Sequence, residues 1–296
     1  MRNAVLDYGR LLASVAIVVF HSGAPGSGIG HAALPFFLMI LIHFALPSAR
    51  ASSFDLYARR RADRLLRPWL IWSAIYGSLK LAEVVVTGAR FDTEFSLSML
   101  LTGPALHLWF LPFAFVACLG LYPFARQPRG AGGATVAASV GLTLLTLGLD
   151  HASDLPVPLA QWMHILPACS LGLALALLPD TRGGLVVGVC LTLCVGASGL
   201  AFGWQPGTLQ LTLAAVALLA CRALRLPETA ASRFSARIAM GVYLVHPLVG
   251  SILMRTAGLE RETWALAGAT AIGAIALAAL LEMLGSRIGS QISRRV

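Results

Sequence analysis

The sequence predicts an all-α, polytopic integral membrane protein of about ten transmembrane helices, with the N- and C-termini in the cytoplasm. Of its 296 residues, 57% are apolar and only 12% are charged, and the mean hydropathy is +0.79. A soluble chain of this length needs a larger polar fraction to cover its surface. The apolar residues form continuous runs, and about 20 helical residues are enough to cross a hydrocarbon core of ~30 Å. Continuous rather than alternating runs favour helices, whose backbone hydrogen bonds are satisfied within the segment.

Ten apolar runs are predicted to cross the membrane, and they follow one another without an internal repeat or an appended soluble segment. They cover residues 5–24, 32–49, 68–87, 105–124, 134–149, 160–178, 184–201, 207–222, 236–255 and 263–285. We therefore expect a single membrane domain over residues 1–296.

The distribution of basic residues supports this topology. With the N-terminus inside, 17 of the 22 Lys and Arg residues fall in cytoplasmic segments, 3 fall in outer segments, and Arg10 and Lys80 lie within spans. This bias follows the positive-inside rule and predicts the cytoplasmic (inner) membrane, whereas an odd number of helices would invert it in the later loops. The net charge of +9 is explained in the same way. Since no basic patch is interleaved with aromatic residues, no nucleic-acid partner is expected.

The five cysteines all lie inside apolar runs and are interpreted as small buried residues. They are Cys118, Cys169, Cys190, Cys194 and Cys221. The sequence therefore predicts neither a disulfide framework nor a metal site.

The first span reads LDYGRLLASVAIVVFHSG and carries two ionisable groups, Arg10 and His21, eleven residues apart. On a helix these two lie within about 20° of one line and about 16 Å apart along the axis, with Asp7 and Ser14 on the same side. Ionisable groups in a membrane face one another or a cavity. One interpretation is an Asp7–Arg10 pair at the cytoplasmic interface, with His21 near outer water. The other is a polar path in which His21 is a general base for a hydroxyl.

A basic segment, YARRRADRLLRPWLIW, precedes the third span. It is predicted to form a short helix with Arg60, Arg64 and Arg67 on one face, after which Pro68 restarts the chain. An anchor to anionic lipid head groups is the favoured interpretation for 59–61. For Arg64 and Arg67 a phosphate site is equally plausible, because guanidinium groups bind phosphate bidentately. A nucleotide-bearing donor such as acyl-CoA would reach it from the cytoplasm.

Two further motifs contain histidines near or within the membrane. In HLWFLPF, Trp109 is typical of an interfacial aromatic belt, and His107 could border an outer acceptor site. In GVYLVHPLVG, His246 precedes a proline at mid-span, where it is either catalytic or hydrogen-bonded to a neighbouring helix. His31, in the first outer loop, is interpreted as solvated.

Taken together, these motifs resemble the membrane acyltransferase family 3. The matching motifs are LDxxRxxAxxxVxxxH at 6–21, a basic pair before proline at 64–68, WFL at 109–111 and YLxHP at 243–247. Their order and spacing agree along nearly the whole chain.

The resemblance implies an O-acyltransferase that moves an acyl group, usually acetyl, from cytoplasmic acyl-CoA to a sugar hydroxyl of a cell-envelope polysaccharide, oligosaccharide or glycolipid. It implies that Arg10 and His21 are the family's essential pair, and that Arg64 and Arg67 lie on the donor side.

We expect His21, Arg10 and Asp7 to form the catalytic set, without a metal. The expected substrate-binding residues are His107, Trp109, Tyr243 and His246. The alternatives are a transporter or flippase of a glycan or lipid intermediate, and a structural subunit of a polysaccharide-synthesis complex. A transporter would be expected to show paired broken helices or a repeat, and the sequence has neither.

Overall fold

The structure is a computed structural model that describes residues 3–127 and 132–293, and all its regular elements in these ranges are helical. Four of the arginines counted above, Arg2, Arg129, Arg294 and Arg295, lie outside the described residues, as does the side chain of Arg287. The all-α class predicted from the sequence is confirmed.

Thirteen α-helices follow one another along the described ranges. They are α1 Ala4–Ser22, α2 Ala33–Arg50, α3 Phe54–Thr87, α4 Phe91–Glu94, α5 Met99–Thr102, α6 Phe110–Gly120, α7 Tyr122–Ala125, α8 Gly132–Ala152, α9 Leu159–Leu177, α10 Arg182–Ala201, α11 Gly207–Ala223, α12 Ala230–Ala257 and α13 Trp264–Ser293. Two 3₁₀ segments, Ser27–Ala32 and Leu106–Trp109, precede α2 and α6.

Among the described residues, eight helices are long and apolar enough to cross a membrane, so the chain is a multi-pass membrane protein. They are α1, α2, α3, α8, α9, α10, α12 and α13. The two remaining predicted spans correspond to shorter apolar helices, Leu106–Gly120 and Gly207–Ala223. The total of ten spans and the cytoplasmic termini stay predictions.

The basic segment and the third span form one helix, which corrects the expectation that Pro68 restarts the chain. The helix α3 runs through Pro68 from Phe54 to Thr87. A proline inside a helix lacks the N–H that would bond four residues back, which here removes a single hydrogen bond. The helix continues because the residues before Pro68, including Arg64, are already helical and a long apolar run follows Pro68.

The five cysteines are not all buried, although the apolar runs predicted that they would be. Cys118 is buried, and Cys169 and Cys221 are partly buried. Cys190 and Cys194 are exposed on α10, so the expectation of burial was wrong for these two. The reason is that an apolar helix in a membrane protein can present small residues to lipid as well as to its neighbours.

The chain divides into two compact units. The first comprises Met1–Phe37, Asp180–Leu193 and Leu209–Val296, and the second comprises Leu38–Pro179 and Cys194–Thr208. In the first unit, α1 packs against α12 and against the segment Ser27–Ala32, and α12 packs against α13. In the second unit, α8 packs against α9, and α3 packs against α6.

Both ends of α1 are fixed within the first unit. At its start, the Asn3 side chain accepts a hydrogen bond from the Val5 N–H and donates to the carbonyls of Cys221 and Leu224. At its end, Gly23 adopts the left-handed conformation (φ 73°) that glycine allows at a helix C-terminus. The backbone N–H of Glu262 donates to the carbonyl of Ser22 at 2.9 Å. His21, two residues before this cap, therefore lies at a well-defined helix end.

Candidate active site

A seam between α1 and α12 brings two histidines together. The hydroxyl of Ser14 lies 2.7 Å from the carbonyl oxygen of Ala239, to which it donates. Seven residues further along both helices, the rings of His21 and His246 lie with their centroids 5.0 Å apart. A seven-residue repeat keeps one face of each helix in register along a parallel pair. The contact at Ser14 thus predicts the contact at His21.

The tautomer of His246 follows from its hydrogen bond. Its Nδ1 lies 2.7 Å from the carbonyl oxygen of Tyr243 on the same helix. A carbonyl oxygen only accepts, so Nδ1 carries the hydrogen, and in the neutral ring the lone pair is on Nε2. The side chain is buried, with 2% of its surface exposed. His246 is therefore a buried, oriented imidazole beside the exposed ring of His21.

A third histidine of the first unit lies near the same helix end. Phe20 contacts His21 edge-on at 5.2 Å and lies 4.4 Å from the ring of His31. The Nδ1 of His31 is 2.9 Å from Oε1 of Gln210, and the residue is partly buried. The interpretation of His31 as a solvated loop residue was therefore wrong. The hydrogen bond joins positions 179 residues apart, which no local pattern could have indicated.

The 3₁₀ segment that carries His31 lies directly against the backbone of α1. A Cβ atom added at Gly30 would collide with the carbonyl oxygen of Ala16 and would lie 3.4 Å from Cβ of Phe20. Only glycine permits this approach, because any larger residue would push the segment away from the helix. Gly30 thus fixes the position of the loop beside the C-terminal end of α1.

The charged pair on α1 is separate from the histidines. Asp7 Oδ1 and Arg10 Nη1 are 3.7 Å apart, and 1% of the Asp7 side chain and 25% of the Arg10 side chain are exposed. The rise of an α-helix places Arg10 about 16 Å from His21 along the axis. The predicted stripe is therefore divided into an ion pair towards the N-terminal end and an imidazole cluster at the other end.

Arg64 and Arg67, the predicted donor-side pair, are both exposed on α3 in the second unit. Neither forms an ion pair or side-chain hydrogen bond within the described parts of the chain, so both guanidinium groups are open to an incoming anion. Arg61 differs, because only 4% of it is exposed and its guanidinium lies 5.1 Å from the centroid of the Tyr57 ring. The lipid-anchor interpretation is therefore wrong for Arg61, which packs inside the unit.

His107 and Trp109 lie in the interior of the second unit. His107 is 6% exposed and meets the ring of Tyr76 edge-on at 5.3 Å. Trp109 is 7% exposed and contacts Phe113 at 6.1 Å. The interpretation of Trp109 as part of an interfacial aromatic belt was therefore wrong, since its ring packs against other aromatic rings. These two residues belong to a different unit from Tyr243 and His246.

No group of three or more His, Cys, Asp or Glu residues in the described ranges could hold a metal ion, and this includes His21, His31 and His246. The arrangement offers instead an exposed imidazole, a buried oriented imidazole and a separate ion pair. Such groups suit proton transfer to and from a hydroxyl.

Comparison with known proteins identifies the family. A family model described as an acyltransferase domain matches residues 3–283. Searches of the curated proteins and of the solved structures gave no significant match. The matched range contains all the candidate site residues described above and confirms the resemblance drawn from the motifs.

Proposed function

The chain belongs to acyltransferase family 3 and is a multi-pass membrane acyltransferase, and from this premise we propose its reaction. It transfers an acyl group, with acetyl as the expected case, from cytoplasmic acyl-CoA to a hydroxyl of a cell-envelope polysaccharide, oligosaccharide or glycolipid. It does so in the inner membrane. The donor half of the proposal depends on Arg64 and Arg67. The acceptor half depends on the histidines at the C-terminal end of α1, which are His21, His246 and His31.

The single observation that carries the proposal is the position of His21. Its exposed ring lies at the last turn of α1, against the oriented ring of His246. An imidazole in a largely apolar helix is costly unless it is used or hydrogen-bonded. This ring can be reached by an acceptor from the outer side of the predicted topology.

In the proposed reaction His21 accepts the proton of the acceptor hydroxyl while the hydroxyl oxygen bonds to the thioester carbonyl carbon. The carbon–sulfur bond then breaks, and the CoA thiolate takes the proton from the His21 imidazolium. The thioester is already activated, so a positioned base is sufficient, and general base catalysis contributes about 10²–10⁴-fold. His246 supports the ring of His21 from the side.

Arg10 has a positioning role in this proposal. At about 16 Å from His21 along the helix, its side chain is too far to stabilise the negative charge that develops on the carbonyl oxygen at that histidine. Its ion pair with the buried Asp7 carboxylate instead keeps two charges compensated inside the membrane. This favours the view that Arg10 and Asp7 maintain the geometry of the polar face.

Arg64 and Arg67 are proposed to hold the phosphates of the donor. Both are exposed, both lack a partner among the described residues, and both lie on the N-terminal half of α3. In the predicted topology this half of the helix is on the cytoplasmic side. Arginine forks bind phosphate oxygens in bidentate pairs. The donor's acyl end would then enter the membrane domain along the apolar half of the helix.

The test uses purified protein in lipid nanodiscs with radiolabelled acetyl-CoA and an envelope glycan extract. Label transfer to glycan and CoA release are compared for wild type, His21→Ala and Leu12→Ala. Leu12 is a matched control on the same helix because 69% of it is exposed and it is predicted to face lipid. We expect transfer by wild type and Leu12→Ala and none by His21→Ala. Equal transfer by all three proteins would overturn the role of His21, and a wild type that moves glycan without releasing CoA would favour a transporter.

A further inference from the structure

A small polar cavity lies in the second unit, and none of the residues discussed so far lines it. It is formed by the C-terminal end of α8, the first turns of α9 and the segment that joins α10 to α11. Its volume is about 240 Å³. Its polar lining consists of Asp150, His151, His164 and Gln205, with Trp204 and Leu147 among the apolar residues.

The central feature of this cavity is an oriented carboxylate–imidazole pair. Nδ1 of His164 lies 3.0 Å from Oδ2 of Asp150, and the exposed fractions of the two side chains are 23% and 19%. Gly207 faces the pair, since a Cβ atom added there would lie 3.3 Å from Asp150 Oδ2 and 3.7 Å from the His164 ring. Glycine at this position keeps the cavity open above the carboxylate.

The lining restricts the ligand to a neutral, hydroxyl-rich molecule. Among the described residues that line the cavity, none is a lysine or arginine and one is a carboxylate, so an anion is disfavoured. No set of three metal ligands exists in the described ranges, which disfavours a cation. A carboxylate accepts hydrogen bonds, while an amide such as that of Gln205 both donates and accepts. Hydroxyl groups, which also do both, match this combination.

The size and the apolar wall favour one sugar ring. At about 30 Å³ per water molecule, a volume of about 240 Å³ holds roughly eight waters, which suits a single ring better than an acyl chain. At the rim, the ring of Phe202 stacks on Trp204 at 4.9 Å and is 67% exposed, so its outer face is open. An aromatic face of this kind can cover the C–H face of a neighbouring sugar.

We propose that this cavity binds one saccharide unit of the acceptor glycan. The proposal rests on the proposed acyl transfer to a glycan, which it deepens by locating an acceptor subsite. In the predicted topology, the loops after α8 and α10 lie on the outer side, where an envelope glycan is accessible. The cavity positions the acceptor chain and takes no part in the bond-making step.

The first experiment measures sugar binding directly, by saturation-transfer NMR on the full chain in nanodiscs. The probes are glucose, galactose, N-acetylglucosamine and rhamnose at millimolar concentration. We expect saturation transfer to at least one sugar in wild type and at least a tenfold weaker signal in Asp150→Asn. The matched control is Asp154→Asn, because Asp154 is an exposed carboxylate in the adjoining loop and does not line the cavity. No signal for any sugar in wild type, or equal signals in both variants, would overturn the proposal.

A second variant keeps the test decisive if Asp150→Asn fails to fold. The side chain of Gln205 is exposed and makes no hydrogen bond within the described chain, so Gln205→Ala should fold normally. We expect it to weaken the sugar signal several-fold, and an unchanged signal would contradict the proposal.

The acyl-transfer assay separates this proposal from the proposed function. We expect the KM for the acceptor glycan to rise at least tenfold in Asp150→Asn, with the KM for acetyl-CoA unchanged. If wild type transfers acyl groups and the acceptor KM is the same in all variants, the function stands and the cavity proposal is wrong. If wild type binds sugar in the cavity but transfers no acyl group, the cavity stands as a sugar site and the proposed function is wrong.

Discussion

Replacing Gly30 by alanine should lower both the stability and the activity of the protein, whereas the same change at Gly28 should not. Both glycines belong to the 3₁₀ segment Ser27–Ala32. A Cβ atom at Gly30 would collide with the carbonyl oxygen of Ala16 and would lie 3.3 Å from that carbonyl carbon. A Cβ atom at Gly28 would meet nothing within 4 Å. The two variants therefore differ only in whether the added methyl group has space.

The size of the effect follows from the collision. The oxygen of Ala16 belongs to the backbone of a helix and cannot rotate away, so the 3₁₀ segment must retreat by about 1 Å to restore an ordinary C···O contact of ~3.3–3.6 Å. Overpacking of this kind costs about 1–3 kcal/mol. The segment packs around Phe20, which contacts His21. Because a displacement of about 1 Å near a reacting group can cost ~100-fold in rate, we expect acyl transfer to fall about 10- to 100-fold.

The assay combines thermal unfolding in nanodiscs, followed by intrinsic fluorescence, with label transfer from acetyl-CoA. Gly28→Ala should match wild type or be more stable by about 0.4–1 kcal/mol, since alanine reduces the entropy of the unfolded chain. If Gly30→Ala unfolds at the same temperature as Gly28→Ala and transfers label at the same rate, the close packing of the loop on α1 is refuted.

Three further predictions concern packing and donor binding. Gly273→Ala should destabilise the α12–α13 contact by about 1–3 kcal/mol, because its Cβ would lie 2.8 Å from Val249 Cγ1. At Gly268 an added Cβ atom would meet nothing within 4 Å, so Gly268→Ala should not lower the unfolding temperature. Arg64→Ala should raise the KM for acyl-CoA about tenfold or more with kcat unchanged, since a hydrogen bond to a charged group contributes about 1.5–3 kcal/mol. Arg59 is also exposed on α3 and serves as the control. Equal KM values for Arg64→Ala and Arg59→Ala would argue against the donor site. Ser14→Ala should lose about 1 kcal/mol through its bond to the Ala239 carbonyl, and an unfolding temperature equal to that of wild type would contradict this.

Local patterns in the sequence predicted the helical class and the residues that share one face of α1. Hydrophobic runs fix helices because each backbone bond is local, and the spacing of Arg10 and His21 fixes their common side. The pairing of His21 with His246 could not be predicted, since it depends on which helix packs beside α1. The seam that joins them connects Ser14 to Ala239, 225 positions away.

Sequence reasoning was wrong where tertiary packing decides the outcome. Pro68 reads as a break, but the packed helix α3 tolerates the loss of one hydrogen bond. Trp109 reads as an interfacial residue, but its ring is buried among other aromatic rings. The Asp150–His164 pair could not be predicted from local patterns because its members lie 14 residues apart on two different helices. In each of these cases the missing information is the identity of the neighbour.

The central claim, that His21 is the base for the acceptor hydroxyl, is tested most directly by chemical rescue. The ring of His21 is exposed, so an added imidazole can enter the space that His21→Ala leaves. The measurement is the rate of label transfer from acetyl-CoA by His21→Ala in nanodiscs, with increasing concentrations of imidazole and of methylimidazoles of different pKa. We predict no transfer without imidazole, and a rescued rate that rises with the basicity of the added ring. Transfer by His21→Ala at the wild-type rate without any imidazole would contradict the account.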